Sequence, residues 1–321
     1  MSPRADNTSA KKSAKAKVYS FLGPLGTFTE LALAQVTEAK GAVWNAANSV
    51  DEALSDVISG KAYRAVVPVE SSVEGGVSAT LDALANTEGL RIYGEYVVPV
   101  NFYLVARTGI KLSEIKTIAA HPVAYGQVRG WLKSNLGKHN HLPATSNAAA
   151  AAQLLENDLA DAAISTPNIT DHYKVKVLAK NIADNKHAQT RFILVGKPGP
   201  APKVTGADKT SIIVELPTDR PGTLLEMLEQ FAVRGINLTR IESRPIGDRL
   251  GRYRFNVDAE GHISDEAVGE ALAGLHRFSP KVIFLGSYPR ADKQQTKPNG
   301  NNSNSEFIES DAWLKKLRSG K

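Results

Sequence analysis

Short apolar runs alternate with capped helical segments through the first half of the chain, and this alternation constrains the fold most strongly. Residues 18–22 and 65–69 are apolar and rich in β-branched or aromatic side chains, a composition typical of buried strands. Thr27 with Glu30 and Ser49 with Glu52 have the spacing of a capping box, which holds the first turn of a helix. Strand–helix alternation of this kind predicts an α/β fold.

The alternation runs twice, which predicts two α/β lobes. A longer predicted strand, 96–107, separates the first series from a second one, and the chain returns through an extended stretch that begins at Gln189. Two crossings between lobes imply a cleft, with hinges near 95–105 and 180–190. The predicted first lobe combines 17–100 with 180–197, and the second lobe is 101–179.

The second half of the chain follows a different pattern. A linker rich in proline and glycine is predicted at 198–208. Residues 209–288 then give the order strand, helix, strand, strand, helix, strand, which predicts a ferredoxin-like βαββαβ module. The flanks are predicted to be a disordered arm at 1–16 and a C-terminal tail at 289–321 with a short helix at 307–317.

The net charge of +6 over 321 residues is located in the flanks. Residues 1–17 carry five Lys/Arg against one acid, and 289–321 carry seven against four, which leaves 27 basic and 28 acidic residues between them. A nucleic-acid-binding domain would show a clustered basic face, so nucleic acid is not an expected partner. No apolar run approaches the roughly 20 residues that cross a bilayer, and no secretory signal is expected. The absence of cysteine suits a reducing cytoplasm.

Thr190-Arg191-Phe192 stands at the head of an apolar strand on the predicted return crossing. It combines a hydroxyl donor, a guanidinium that fits a carboxylate and an apolar ring. The loops 24–28 and 165–168 precede predicted helices, whose N-termini favour anions. The seven histidines show no metal spacing, and His139 and His141 are predicted to lie in a surface loop. We therefore expect a cleft for a small dianion, with no metal and no cofactor.

Five ordered motifs resemble the bacterial prephenate dehydratases that carry a C-terminal ACT regulatory domain, over about residues 17–288. They are Phe21–Thr29, Val67–Ser72 with Thr80-Leu81-Asp82, His121-Pro122 with Gln127, Thr190-Arg191-Phe192, and Ile241–Pro245. The resemblance implies a two-lobed catalytic domain like periplasmic-type binding proteins. It also implies conversion of prephenate to phenylpyruvate, water and carbon dioxide in phenylalanine biosynthesis.

The resemblance also assigns site residues. Thr190 takes the place of the family's essential threonine, and Glu70 and Gln127 join it as catalytic candidates. The expected substrate-binding residues are Gly26, Thr27, Ser71, Thr166, Arg191 and Phe192. We expect Thr190 to donate a hydrogen bond or relay a proton to the departing oxygen, with Glu70 as the second candidate for the proton source. Four departures leave the polar network open, namely Ser71, Ala120, Val128 and Ala188.

The ACT module is expected to bind L-phenylalanine as an allosteric effector, as the resemblance implies. The candidate residues are Gly222, Thr223, Leu224, Leu225, Asn237, Leu238, Glu242, Ser243, Arg244 and Pro245. Thr223 and Leu225 depart mildly from the residues of relatives, and Glu242 with Arg244 fits an ordinary interface salt bridge as an alternative. The family implies a homo-oligomer, a tetramer built from dimers.

Two other functions remain open at this point. Arogenate differs from prephenate by an amino group in place of a keto group, and the motifs do not separate the two substrates. A ligand-binding regulator on the same two-lobed fold, without catalysis, is the third hypothesis. The intact Thr190-Arg191-Phe192 argues against that regulator.

Overall fold

The computed structural model describes residues 16–248, 251–296 and 301–320. Its strands are β1 Val18–Leu22, β2 Val43–Ala47, β3 Arg64–Ser71, β4 Gly75–Gly76, β5 Arg91–Pro99, β6 Tyr103–Ala106, β7 Thr117–Ala120, β8 Asn140–Pro143, β9 Ala162–Ser165, β10 Lys176–Ala179, β11 Gln189–Gly196, β12 Asp208–Glu215, β13 Leu238–Pro245, β14 Tyr253–Glu260 and β15 Lys281–Pro289. Its α-helices are α1 Phe28–Gln35, α2 Val50–Ser59, α3 Ser78–Asn86, α4 Pro122–Gly126, α5 Arg129–Asn135, α6 Asn147–Glu156, α7 Thr223–Ala232, α8 Glu266–Phe278 and α9 Asn304–Arg318.

The first sheet has the strand order β2-β1-β3-β11-β5, with β4 paired to β3. β1 is parallel to β2 and β3, whereas β11 is antiparallel to β3 and β5. Successive residues of β11 point to opposite faces. Phe192 and Leu194 pack in the core with α1, while Ile193 and Val195 pack in the core with α2 and α3.

The second sheet has the order β10-β6-β9-β7-β8. β7 is parallel to β8 and β9, and β6 is antiparallel to β9 and β10. The predicted single strand 96–107 is wrong, because β5 ends at Pro99 in the first sheet and β6 begins at Tyr103 in the second. Apart from Asn101 and Arg107 the segment is apolar, because Val100 and Phe102, at the crossing itself, are buried too.

Three strands were absent from the sequence prediction: the two-residue β4, and β2 and β8, which lie at sheet edges. β2 is mostly exposed, and β8 has no buried residue, so neither shows the apolar pattern of a covered strand. The predicted surface loop around His141 is therefore wrong. His141 lies in β8, its ring stacks on Tyr125 with 4.0 Å between centroids, and its Nε2 is 3.0 Å from the Ala120 carbonyl oxygen.

The third sheet confirms the predicted ferredoxin-like module. Its order is β13-β14-β12-β15, antiparallel throughout, and α7 and α8 pack on one face through Met227, Phe231 and Leu275. Nearly every residue of β12 and β14 is buried, so the other face is covered as well. That cover is the first sheet: Ile213, Leu285 and Tyr288 belong to the same core as α2 and α3.

The chain termini complete the description. Residues 1–15 of the predicted disordered arm, and residues 298–300 of the predicted polar spacer before the last helix, lie outside the described residues. The predicted helix 307–317 corresponds to the longer α9, whose backbone lies close to α8. The exact domain boundaries stay predictions. Within the described ranges, no helix combines the length and apolarity that a membrane span requires.

Candidate active site

A cavity of about 680 Å³ lies between the first and second sheets. Its walls come from the carboxyl ends of the parallel strands β1, β2, β3, β7 and β9, where ligands of open α/β sheets bind. The antiparallel β11 enters at the same edge, because Thr190 pairs with Ser71 at the end of β3. The lining includes Thr27, Phe28, Ser71, Glu74, His121, Gln127, Ser146, Asn147, Thr166, Thr190 and Phe192.

Four helices, α1, α3, α4 and α6, begin at this cavity, since the N-cap residue of each lines it. Thr27 caps α1, and Ser146 caps α6 by accepting a hydrogen bond of 3.0 Å from the Ala149 N–H. The short α4 begins with Pro122 directly after the lining residue His121. Helix N-termini carry partial positive charge and free N–H groups. No Lys or Arg lines the cavity in the described part of the chain, so the helix N-termini are its main source of positive potential.

Thr190 and Phe192 lie where the sequence predicted them. Both line the cavity, and Thr190 Oγ1 has no hydrogen-bond partner among the described residues. Phe192 is 2% exposed and forms part of the apolar wall. The cleft therefore presents an unengaged hydroxyl beside an aromatic ring.

Arg191 does not lie in the cleft, and its predicted role in binding the substrate is wrong. The strand's alternation turns its side chain to the opposite face of the sheet, toward the third sheet. Its Nη2 is 2.5 Å from Asp258 Oδ2, and its Nη1 is 3.3 Å from Glu95 Oε2. A guanidinium engaged by these buried carboxylates is not available to a ligand in the cavity.

Glu70 follows Arg191 to the same face. Its Oε2 lies 3.5 Å from Arg191 Nε, and it does not line the cavity, so the predicted role of Glu70 as proton source is wrong in this geometry. The carboxylate that lines the cavity is Glu74, four residues further on. Glu74 was absent from the predicted site, because the turn after β3 decides which way each side chain points.

The remaining predicted polar groups divide between the cavity and the contact between lobes. Ser71 and Gln127 line the cavity, and Gln127 Oε1 is buried without a hydrogen-bond partner among the described residues. Thr166 also lines it, but its hydroxyl donates to the Gly26 carbonyl at 2.6 Å. Gly26, at φ +81°, donates its N–H to Glu30 Oε2 at 2.6 Å. The predicted anion contact of Gly26 is therefore wrong, because its N–H is already engaged.

Glu30 joins the lobes beside the cavity and was absent from the predicted site. It is 8% exposed, and its carboxylate accepts a hydrogen bond from Asn168 Nδ2 at 3.0 Å. His172 Nε2 lies 2.8 Å from Glu30 Oε1. The capping-box spacing was the only signal at this position, and it does not indicate the contact with residues about 140 positions away.

The predicted effector residues occupy two parts of the ACT module. Gly222, at φ +91°, caps α7, which begins with Thr223, Leu224 and Leu225. Asn237 precedes β13, which contains Leu238, Glu242, Ser243, Arg244 and Pro245. Thr223 is buried, whereas Leu225 is 59% exposed.

Glu242 and Arg244 contact the catalytic domain. Arg244 Nη2 donates to Asp82 Oδ2 on α3 at 2.6 Å. Arg240 Nη1 lies 3.3 Å from Glu242 Oε2, and the Glu242 carboxylate lies against Gly76. Arg244 therefore forms an ion pair across the contact between the domains, whereas Glu242 pairs with Arg240 on its own strand.

The buried ions between the domains have shifted pKa values. Burial alone would raise the pKa of Asp258, but the charges of Arg191, Arg240 and Lys209 hold it well below its usual range. Burial would lower the pKa of Arg191, and the charge of Asp258 outweighs this and raises it. The Asp82 pKa is lowered by the hydrogen bond from Arg244. Among the described residues no group of three acidic or histidine side chains is placed to hold a metal ion.

The family models give the identity. One described as prephenate dehydratase matches residues 19–200, and one described as ACT domain matches residues 210–277. The chain belongs to the prephenate dehydratase family. It is an enzyme of the lyase class, with a two-lobed, binding-protein-like catalytic domain and an ACT domain. The predicted family, fold and enzyme class are confirmed, and the non-catalytic regulator is set aside.

Individual relatives support the same family assignment. The prephenate dehydratase of Mycolicibacterium vanbaalenii is 43% identical over 316 residues, covering 94% of this chain and 98% of the relative. The crystal structure of a prephenate dehydratase from Arthrobacter aurescens in complex with L-Phe is 50% identical, with a TM-score of 0.91, and the match covers 94% of this chain and 99% of that one. The Staphylococcus aureus prephenate dehydratase is 28% identical with a TM-score of 0.71, over 85% of this chain and 99% of that one.

Proposed function

We propose that the cleft converts prephenate to phenylpyruvate, with Thr190 as the donor to the departing hydroxyl. The observation that carries the proposal is the position of the unpartnered Thr190 hydroxyl in a cavity that four helix N-termini enter. Prephenate is a dianion with one carboxylate on the ring and one on the pyruvyl side chain. Such a ligand fits a cavity that has positive helix ends and apolar walls.

The reaction needs only one proton and correct positioning. The ring carboxylate leaves as carbon dioxide, its bonding electrons enter the ring, and the para hydroxyl departs with an added proton as water. The ring becomes aromatic, which supplies most of the driving force. The helix N-termini should therefore hold the pyruvyl carboxylate, because strong stabilisation of the leaving carboxylate would oppose its loss.

Each lining side chain has a proposed part. Thr190 Oγ1 donates a hydrogen bond to the departing oxygen, since a hydroxyl is too weak an acid to supply the proton alone. Glu74, the carboxyl group that lines the cavity, is the proposed proton source in place of Glu70. Gln127 offers its side-chain amide to the substrate's polar groups, and Phe192 forms the wall against the ring.

The test is release of phenylpyruvate by purified Thr190→Ala and Thr190→Ser variants. Assisting a leaving group is worth roughly 10²–10⁴-fold in rate, so Thr190→Ala should lose activity in this range while Thr190→Ser keeps part of it. Thr117→Ala is the matched control, because Thr117 begins a strand of the second sheet and does not line the cavity. A Thr190→Ala variant with near wild-type kcat would remove Thr190 from the mechanism.

Arogenate is the alternative substrate that the sequence left open. It keeps both carboxylates and replaces the keto group with an amino group. Assays with both substrates at equal concentration measure the preference, and a higher kcat/KM for arogenate would overturn the assignment of prephenate.

We also propose that L-phenylalanine binds the ACT domain and inhibits the reaction. Support comes from the match of residues 210–277 to the ACT domain family and from the related Arthrobacter enzyme that was crystallised with L-Phe. The proposed contacts are the backbone at Gly222–Leu225 and at Asn237-Leu238, together with the segment 242–245 at the far end of β13. Linkage requires prephenate to weaken phenylalanine binding by the factor with which phenylalanine weakens prephenate binding. Calorimetry that detects no phenylalanine binding would refute the regulation.

A homo-oligomer, built as a tetramer from dimers, is the proposed assembly. β13 is an edge strand in the order of the third sheet, and Ile241 and Tyr253 near it are 44% and 43% exposed. Open edges and exposed apolar side chains are typical of surfaces that pair with another chain. Light scattering should give four times the chain mass of 34.4 kDa. A cytoplasmic location is proposed as well, and it is tested by fractionating cells.

A further inference from the structure

One strand carries the catalytic hydroxyl and the contact with the ACT domain on consecutive residues. In β11, Thr190 faces the cavity and Arg191 faces the third sheet. The pairing of β11 with β3 shifts register directly after Arg191. On the β3 side the ladder is therefore irregular at this point, whereas the pairing with β5 continues without a shift from Gln189 to Leu194. The side chain of Arg191 is a further anchor, on the face toward the third sheet.

A cluster of three carboxylates surrounds the Arg191 side chain and holds it in place. Glu70 on β3 and Glu95 on β5 belong to the catalytic domain, at 3.5 and 3.3 Å from the guanidinium. Asp258 on β14 belongs to the ACT domain, and at 2.5 Å it makes the shortest contact. Asp258 is 1% exposed, and buried, charge-assisted hydrogen bonds of this length are among the strong ones.

Asp258 is itself held from several directions. The Ser211 hydroxyl donates to Asp258 Oδ1 at 2.5 Å, and the Tyr288 hydroxyl lies 2.6 Å from Ser211 Oγ. Arg240 Nε donates to Asp258 Oδ2 at 3.0 Å. One carboxylate oxygen thus engages both Arg191 and a residue of β13, the strand that contains the proposed effector residues.

We propose that Asp258 is a positioning residue for the dehydration reaction, which acts through Arg191 to fix Thr190 in the cleft. The inference rests on the proposed catalytic role of Thr190. The ACT domain then helps to hold β11, the strand that carries Thr190, in addition to its proposed regulatory role. A shift of β13 that draws Arg240 and Asp258 away would move Arg191, and with it the peptide unit that joins Arg191 to Thr190.

The test replaces Asp258 with asparagine, which keeps the shape and removes the charge. A displacement of about 1 Å at a reacting group costs on the order of 10²-fold, so Asp258→Asn should lower kcat by about 10- to 100-fold with little change in KM. The matched control is Glu260→Gln on the same strand. Glu260 accepts a hydrogen bond from Arg290 Nη1 at 2.5 Å and has no contact with β11. The Glu260→Gln variant should keep kcat near wild type.

A double-mutant cycle separates positioning from general destabilisation. If Asp258 acts through Thr190, adding Asp258→Asn to the Thr190→Ala variant should cause no further loss of the residual kcat. A full additional loss in that background would overturn the inference, and so would a wild-type kcat in the folded Asp258→Asn single variant.

Two further comparisons keep the result interpretable. If Asp258→Asn does not fold, Ser211→Ala keeps the Asp258 charge, removes the Ser211 hydrogen bonds to Asp258 and Tyr288, and should lower kcat in the same direction. An unchanged kcat in a folded Ser211→Ala variant would then overturn the inference. If Thr190→Ala retains full activity, the proposed role of Thr190 fails, and the positioning role that rests on it fails too. If Thr190→Ala is inactive while Asp258→Asn is fully active, only the positioning role fails.

Discussion

Replacing Glu30 with glutamine should weaken the contact between the two catalytic lobes. The Glu30 carboxylate is 8% exposed and accepts hydrogen bonds from the Gly26 N–H at 2.6 Å and from Asn168 Nδ2 at 3.0 Å, with His172 Nε2 at 2.8 Å. Glutamine keeps one oxygen for the first two donors but loses the charge and presents an NH₂ group to His172. Hydrogen bonds to charged groups contribute about 1.5–3 kcal/mol, which is the cost expected for Glu30→Gln.

Removing the whole carboxylate should cost more. Glu30→Ala leaves three donors without their acceptor in a buried position. Breaking a buried pair by deleting one partner is worth roughly 3–5 kcal/mol, so the alanine variant should be clearly weaker than the glutamine variant. The order of the two variants is part of the prediction, since a contact that acted only through packing would not distinguish them in this way.

Hydrogen exchange of the Gly26 amide measures this contact directly, because its N–H donates to Glu30. A loss of about 1.5–3 kcal/mol corresponds to roughly 10- to 150-fold faster exchange through local opening. Glu52→Gln is the matched control. Glu52 occupies the same capping-box position in α2 and accepts two hydrogen bonds from Asn48, at 2.8 and 2.9 Å, but it is exposed. An exposed substitution is worth about 0.5 kcal/mol or less. Equal effects at the two sites, or an unchanged Gly26 amide, would refute the reasoning.

Two predictions concern the contact between the domains. Gly286 has φ +142°, and Gly286→Ala places a Cβ against the backbone of Ile92, so overpacking should lower the free energy of unfolding by about 1–3 kcal/mol. Gly137→Ala is the control, because Gly137 has open space around it. An unchanged midpoint of Gly286→Ala in chemical denaturation would contradict this prediction. The Arg244 hydrogen bond holds the pKa of Asp82 below its ordinary 3.8, so ionised Asp82 stabilises the fold above that pH and the contribution is lost as pH falls below it. The difference in denaturation midpoint between wild type and Asp82→Asn should therefore shrink from pH 6 to pH 3, and a constant difference would count against the ion pair.

The order of elements was predictable wherever a strand or helix has a covered apolar face. The ferredoxin-like module was predicted in full because its strands β12 and β14 are buried and its two helices are amphipathic. The edge strands β2 and β8 were not found, since exposed strands need no apolar residues. Residues 96–107 were predicted as one strand, although they form two strands in different lobes. A nearly continuous apolar run has the same pattern in the sequence whether it is buried in one lobe or in two.

The active site was predictable in part. The sequence alone determined the family, the two-lobed architecture and the cleft position of Thr190 and Phe192, because motifs and strand ends are local features. Only the tertiary structure decided that Arg191 and Glu70 turn toward the ACT domain, since that depends on what covers the second face of the sheet.

Thr27 with Glu30 and Ser49 with Glu52 have the same spacing in the sequence. One glutamate joins two lobes in a buried contact, and the other is exposed at the start of α2, where it accepts hydrogen bonds from nearby Asn48. The local signal determines that a helix begins at each position. What the carboxylate does there depends on which distant residues the fold brings within hydrogen-bond distance and how much water it excludes.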